Sequence, residues 1–181
     1  DGSFAVYDFD YGGATTLTEL QPSSAPGLAL WLRADKDIST SGDKVTVWKD
    51  QTGQSLHLMA AGTVTLKANA INGKPAIYCD GSSNSHLYRN SVKGGKLFDP
   101  AAATIFVVQK QAGADARTTT LAWRNSSGDN RFFLHATWEN SIAFQMGNPA
   151  KSSVAVTQPG GWDDQWHIVT ARRNGSNADL R

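Results

Sequence analysis

The chain has one cysteine, two glutamates and no long hydrophobic run. A single cysteine excludes an internal disulfide framework, and its place at the end of the apolar run 76–79 predicts that Cys79 is a small buried hydrophobe. No run approaches the roughly 20 apolar residues of a membrane span, so we expect no membrane insertion. Seventeen basic against 16 acidic residues provide no strong positive field, which disfavours nucleic acid as a partner.

Residue patterns that support catalysis are equally scarce. A glycosidase with a β fold needs paired carboxylates two residues apart on one strand, whereas Glu19 and Glu139 are distant and Asp163 and Asp164 are adjacent. The sequence also lacks a CxxC pair, a phosphate-binding glycine loop and a Gly-x-Ser-x-Gly turn. The four histidines share no ligand spacing (His57, His86, His135 and His167). We therefore predict a noncatalytic protein without a cofactor, and hydrolysis is the least favoured activity.

Short apolar runs of strand length recur between clusters of Gly, Asn, Asp and Ser. They lie at 28–33, 45–48, 55–59, 63–67, 75–79, 86–89, 104–110, 118–123, 131–137, 141–146, 153–157 and 165–172. The best helical candidate is a single turn at 99–103, which the β-branched residues after it end. The pattern predicts an all-β sandwich or barrel, and 181 residues suit one such domain.

The amino end differs in composition from the rest of the chain. Residues 4–11 alternate imperfectly and end at Gly12-Gly13, which predicts a strand and a turn, and prolines and serines at 21–27 predict a linker. We expect the compact domain to span residues 27–181. Residues 1–26 are then either an added edge strand or an arm that attaches the domain to a neighbour.

Two later strands indicate where the core lies. The run Ile105-Phe106-Val107-Val108 is apolar on both faces, as in a central strand that is covered on both sides. In 165–172 the period of two separates Trp166 and Ile168 from His167, Val169 and Ala171. We expect Trp166, with Trp31 and Trp48, to pack into the core.

Three motifs occur in a fixed order along the first half of the chain. A tryptophan strand at 26–35 is followed by the Trp-x-Asp-x-x-Gly turn at 47–53 and by the Asn-Gly-Lys-Pro strand at 72–81, which ends in Asp-Gly. This order resembles the laminin-G-like or concanavalin A-like jelly rolls of bacterial and phage surface proteins. The resemblance covers roughly residues 27–181 and implies an antiparallel β-sandwich at a cell or virion surface or outside the cell.

The same resemblance implies an incomplete carboxyl edge. Members of the family continue past the strand that begins at 178–181, adding one or two strands that close the sheets. Either the sequence is a truncated piece of a longer chain, or a neighbouring chain supplies the edge by strand addition.

Two aspartates lie at strand ends, where carboxylates accept backbone N–H groups and shape turns. These are Asp50 and Asp80. A calcium site is the alternative for the second, because Asp80, Ser82 and Asn84 offer three oxygen ligands. That set lacks a further acidic ligand, so we predict no metal.

Three tryptophans have polar neighbours and suit the stacking of sugar rings, namely Trp123, Trp138 and Trp162. The preferred carbohydrate-binding cluster combines Trp138 with Glu139, Asn140, His135 and Arg131. The alternative is that Trp138 caps a hairpin and covers the edge of the core. Two functions follow, a noncatalytic lectin-like module that binds a glycan or polysaccharide, and a structural surface protein such as a phage virion decoration, fibre or tail component.

Overall fold

The computed structural model describes residues 22–82, 84–90, 102–112, 118–124, 131–138, 141–146, 153–158, 160 and 162–181. Within them the chain is all-β, all strand pairs are antiparallel, and the one helical element is a 3-10 turn at Pro22–Ser24. The predicted all-β class is confirmed. The chain divides into two compact units, Asp1–Asn90 and Ser91–Arg181. The predicted arm at 1–26 lies mostly outside the described residues, and the single domain over 27–181 stays a prediction.

Unit 1 contains one six-stranded sheet with the order β5-β4-β2-β3-β6, and β1 pairs with β2. Its strands are β1 (Ile38–Ser41), β2 (Lys44–Trp48), β3 (Leu58–Ala61), β4 (Val64–Ile71), β5 (Lys74–Cys79) and β6 (His86–Tyr88). Among the described residues of unit 1, the buried hydrophobic ones are Val45, Leu56 and Val64. The turn between β4 and β5 is Asn72-Gly73 with φ values of 48° and 73°, as a tight hairpin requires.

The predicted strand at 28–33 is wrong. This stretch forms a single bridge, Leu32 to Asp50, and hydrogen bonds from individual groups hold it in place. The indole of Trp48 donates to the Arg33 carbonyl at 2.7 Å, and Trp31 and Trp48 are each only partly buried. This stretch is therefore a loop tied to the residues that follow β2, and it does not extend the sheet.

Cys79 also differs from the prediction, because it is exposed at the end of β5. Partial burial of its sulfur, together with the charge of Asp80, raises the pKa of the thiol. The thiol form is therefore favoured over the reactive thiolate.

Unit 2 contains two sheets. One has the order β11-β10-β9-β8, from β8 (Thr118–Arg124), β9 (Arg131–Trp138), β10 (Ser141–Met146) and β11 (Ser153–Thr157). The other has the order β13-β12-β7, from β7 (Ala102–Lys110), β12 (Trp166–Asn174) and β13 (Asn177–Leu180). Of the helical turn predicted at 99–103, residues 99–101 lie outside the described residues, and Ala102 already belongs to β7.

Side chains from both sheets form the core of unit 2, which makes it a β-sandwich. Its buried members are Ile105, Phe132, Leu134, Ile142, Phe144, Trp162, Val169 and Ala171. The rings of Phe132 and Phe144 meet edge to face with centroids 5.4 Å apart. Each sheet therefore has one face in the core and a second face that points away from it.

The outward side of β7 and β12 is exposed, which corrects two expectations. Phe106 and Val108 are 68% and 54% exposed, so β7 is not covered on both sides by the described residues. The period of two in β12 is confirmed, but the core takes Val169 and Ala171, while Trp166 lies on the other side with Ile168. The prediction that Trp166 packs into the core is therefore wrong.

Candidate functional site

The outward face of the β11-β10-β9-β8 sheet carries polar and aromatic residues. Strand register fixes its members, because directly paired residues share a face. Thr119 pairs with His135, Ala122 with Phe133, and His135 also with Ala143. We call this surface the four-strand face and define it by Thr119, Ala122, Phe133, His135, Ala143 and Gln145. Phe132, Leu134, Ile142 and Phe144 alternate with them and face the core.

A bulge in β9 determines what else lies on this face. Ser141 pairs with Trp138 and Ala143 pairs with His135. Between these two pairs β10 has one residue and β9 has two, so β9 contains one extra residue. The extra residue falls next to Ala136, because Thr118 and Thr119 on the other side pair with Thr137 and His135. Ser141 and Ala143 share a face, so the register also places residue 138 on the four-strand face.

Phe133 and His135 form a stacked aromatic pair in the middle of this face, in which Phe133 is partly buried and His135 is 9% exposed. Their ring centroids lie 5.6 Å apart with an interplanar angle of 5°. Thr119 Oγ1 lies 3.0 Å from His135 Nδ1, which fixes the imidazole plane. Burial lowers the pKa of His135 below its ordinary value of 6.5, so the ring is neutral near pH 7. A neutral imidazole keeps one donor and one acceptor nitrogen.

The structure thus places three of the five residues of the predicted carbohydrate-binding cluster on one sheet face. Arg131, His135 and Trp138 fall on the four-strand face by register, Arg131 opposite Arg124. For Arg131 and Trp138 the structure describes the backbone only, and Glu139 and Asn140 lie outside the described residues. Sequence analysis missed Phe133, although it alternates with Arg131 and His135 at the period of a strand.

The other two tryptophans of the predicted site lie in the interior of unit 2. Trp162 is 9% exposed, and Trp123 packs against the core cluster. The Trp162 ring stacks on His167 with centroids 3.6 Å apart, and His167 Nε2 lies 2.9 Å from the Trp162 carbonyl oxygen. Neither residue offers a freely exposed ring for sugar stacking, so we leave both out of the candidate site.

The two strand-end aspartates shape turns, as predicted. Asp50 is 6% exposed and accepts backbone N–H groups from Trp31, Thr52 and Leu56. The Thr52 hydroxyl donates to the same carboxylate at 2.6 Å. Asp80 accepts the backbone N–H of Ser82 at 3.0 Å. No group of three or more His, Cys, Asp or Glu side chains among the described residues is arranged to hold a metal ion.

The comparisons with known proteins add no relative. No family model, no curated protein and no solved structure matches this chain. Among the described residues, no helix has the length and apolar character that crossing a membrane requires.

Proposed function

We propose that this chain is a noncatalytic carbohydrate-binding module of the concanavalin A-like, laminin-G-like jelly-roll type. It recognises a glycan or polysaccharide on the four-strand face, outside the cell or at a cell or virion surface. The observation that carries the proposal is the partly buried Phe133 ring, which stacks on the buried His135, with Trp138 on the same sheet face by register.

The partly buried Phe133 ring suits the flat side of a pyranose ring. Carbon-bound hydrogens on one side of a sugar pack against aromatic rings, and hydroxyl groups at its rim need donors and acceptors. Because burial and the Thr119 contact already fix His135, the Phe133 ring that stacks on it is ordered, and a sugar that packs on Phe133 costs little side-chain entropy.

Polar groups border this aromatic pair on both sides. Thr119 pairs with His135 on one side, and Gln145 pairs with Phe133 on the other. Beyond them, Ser141 and Gln145 pair with Thr157 and Ser153 of β11. The described residues of this face include no Asp or Glu, so the pair of carboxylates that a glycosidase uses is not supplied by them. This composition supports binding without hydrolysis.

The test is a binding screen of the chain on soluble glycans and insoluble polysaccharides. Phe133→Ala and Trp138→Ala are measured beside it, with Phe106→Ala as the matched control because that exposed ring lies on the other sheet. We expect saturable binding that each of the first two variants weakens about two- to tenfold, since one aromatic stacking contact contributes about 0.5–1.5 kcal/mol. Absence of binding from a folded chain, or equal loss in the control, contradicts the proposal.

One observation favours a second candidate function, a structural surface component such as a virion decoration, fibre or tail part. The outward side of β7 and β12 is apolar and exposed, which is typical of a surface that another protein covers. A chain that assembles into ordered particles or fibres and binds no glycan supports this role.

A further inference from the structure

One end of the four-strand face carries two like charges opposite each other. Arg124 is the last residue of β8, Arg131 is the first residue of β9, and the two pair directly. The next pair in the ladder joins Trp123 to Phe132, and both of these residues belong to the core of unit 2. Because neighbours along a strand alternate between its two sides, the register places both arginines on the four-strand face. We call Arg124 and Arg131 the arginine pair.

The arginine pair lies beside the ring that the proposed glycan site uses. For Arg124, as for Arg131, the structure describes the backbone only. Two residues further along each strand, about 7 Å away, Ala122 pairs with Phe133. Along the outward side of β9 the order is therefore Arg131, Phe133 and His135. A sugar that packs on Phe133 then has the arginine pair on one side and His135 on the other.

Charge on the rest of this face does not balance the pair. The described positions of the face include no Asp or Glu, and burial keeps His135 neutral near pH 7. Like charges directly opposite each other in a sheet are unfavourable, so an anion bound at this position relieves their repulsion. The whole chain has a net charge of only +1, so the two arginines are a local feature and not part of a general basic field.

The guanidinium group favours a particular kind of anion. Its planar donors match two oxygens of a carboxylate or of a tetrahedral oxyanion at once. Acidic polysaccharides carry such groups as uronic acid carboxylates and sulfate esters. A nucleic acid backbone requires a more extensive basic surface than two arginines on a chain of nearly zero net charge. An acidic sugar therefore fits both the aromatic ring and the charge of this face.

We propose that the arginine pair recognises the acidic group of an anionic glycan, a polysaccharide that carries carboxylate or sulfate groups. One sugar ring packs on Phe133, and the acidic group of the same sugar or of the next one is bound by Arg124 and Arg131. This inference rests on the proposed glycan function and names its substrate class. It adds Arg124 to the site, a residue that the sequence analysis did not single out.

Two matched pairs of polymers test the acidic group while the sugar backbone stays the same. Polygalacturonate is compared with its methyl ester, and dextran sulfate with dextran, by titration calorimetry of the full chain. We expect at least one acidic polymer to bind at least about tenfold more tightly than its neutral counterpart, because hydrogen bonds between charged groups are about twice as strong as neutral ones. The polymer pair that shows the difference tells a carboxylate ligand from a sulfate ligand.

The outcomes separate this proposal from the glycan function itself. Equal binding of acidic and neutral polymers overturns the role of the arginine pair and leaves glycan binding in place. Binding of a neutral glycan in the wider screen, with neither acidic polymer bound, has the same meaning. No binding to any glycan by the folded chain overturns both.

Substitutions identify the residues that bind the acidic group. Arg124→Gln and Arg131→Gln should each weaken binding of the acidic polymer at least about fivefold and change binding of the neutral one little, whereas Phe133→Ala weakens both. Arg131→Lys keeps the charge without the planar donors, so it should lose part of the preference. Arg172→Gln is the matched control, because it removes one positive charge from an exposed position on the other sheet. An equal loss in this control, or acidic binding that Arg124→Gln and Arg131→Gln leave unchanged, overturns the proposal.

Discussion

Trp31 donates its backbone N–H to the Asp50 carboxylate, at 3.1 Å and across nineteen positions of sequence. Thr52 and Leu56 donate their N–H groups to the same carboxylate at 3.0 and 3.2 Å, and the N–H of Asp50 itself donates to His57 Nδ1 at 3.1 Å. One buried side chain thus ties the loop at 28–33 to the turn between β2 and β3. The loop at 28–33 makes one strand bridge, so hydrogen bonds to the Asp50 carboxylate hold it where ladder hydrogen bonds would hold a strand.

Asp50→Asn is expected to destabilise unit 1 by about 2–4 kcal/mol, because an amide NH₂ group then faces backbone donors. Chemical denaturation followed by tryptophan fluorescence measures the change, since Trp31 and Trp48 lie beside the site. Asp80→Asn is the matched control, because Asp80 shapes an exposed turn and its loss has a smaller effect. Equal destabilisation by the two substitutions would contradict this account of Asp50.

Acid is expected to lower stability through two carboxylates. Hydrogen bonding with Arg33 lowers the pKa of Asp35 to about 2 from an ordinary 3.8. Burial raises the pKa of Asp50, but hydrogen bonds led by those from Thr52 outweigh it and lower the value. Because the folded state holds these protons less tightly than the unfolded state, their contribution is present above pH 3.8 and is lost as pH falls, toward about 2 in the case of Asp35.

Urea titrations at a series of pH values check this dependence. We expect the free energy of unfolding to fall between pH 4 and 2, and Asp35→Asn to flatten part of that slope. The effect of Asp35 is modest, because its side chain is 24% exposed and solvent screens the ion pair. If Asp35→Asn leaves the slope unchanged, the Arg33–Asp35 ion pair does not cause this pH dependence.

His135 is expected to produce a separate transition at higher pH. Burial lowers its pKa below 6.5, so the unfolded chain binds a proton that the folded chain excludes. Its contribution is therefore present above pH 6.5 and is lost as pH falls through the lowered value. His135→Gln should flatten the stability curve below pH 6.5, whereas His86→Gln at an exposed position should leave it unchanged. The same loss in both variants would be evidence against a buried neutral ring.

The two sides of the unit 2 sheets should respond differently to loss of an aromatic ring. Phe144 is fully buried, so Phe144→Ala is expected to cost about 3–5 kcal/mol of stability. Phe106 is 68% exposed, so Phe106→Ala should cost less than about 1 kcal/mol in the dissociated chain. Thermal unfolding at low protein concentration measures both. A large loss in Phe106→Ala would mean that this ring is covered even in a single chain.

Much of the strand arrangement follows from the sequence, because apolar runs between turn residues mark strands directly. The runs at 104–110 and 141–146 became β7 and β10 with shifts of at most two residues. The prediction of a strand at 28–33 failed because this stretch makes one bridge, Leu32 to Asp50, and single hydrogen bonds instead of a ladder. β1 was missed because Ile38–Ser41 contains one apolar residue, and its pairing with β2 holds it in place.

Which face of a strand lies inside was harder to predict. Alternation in β12 correctly separated Trp166 and Ile168 from Val169 and Ala171, but the larger residues proved to be outside. Size and apolar character alone favoured the wrong side. The choice depends on which neighbouring sheet is available, and the small Ala171 fits closely against the other sheet of the sandwich. Because the sequence does not show which sheet a strand packs against, the sequence analysis also missed Phe133 and did not predict that Trp162 lies in the interior.

The bulge beside Ala136 gives the length of β9 a particular importance. In an unbroken strand, residues 135 and 138 would lie on opposite sides, and the inserted residue brings them to the same side. Removing one residue there would turn the residues after the bulge to the opposite face of the sheet, although the composition of the strand would hardly change. In this protein, therefore, a single-residue deletion at the end of β9 would alter the surface more than most replacements of one side chain by another.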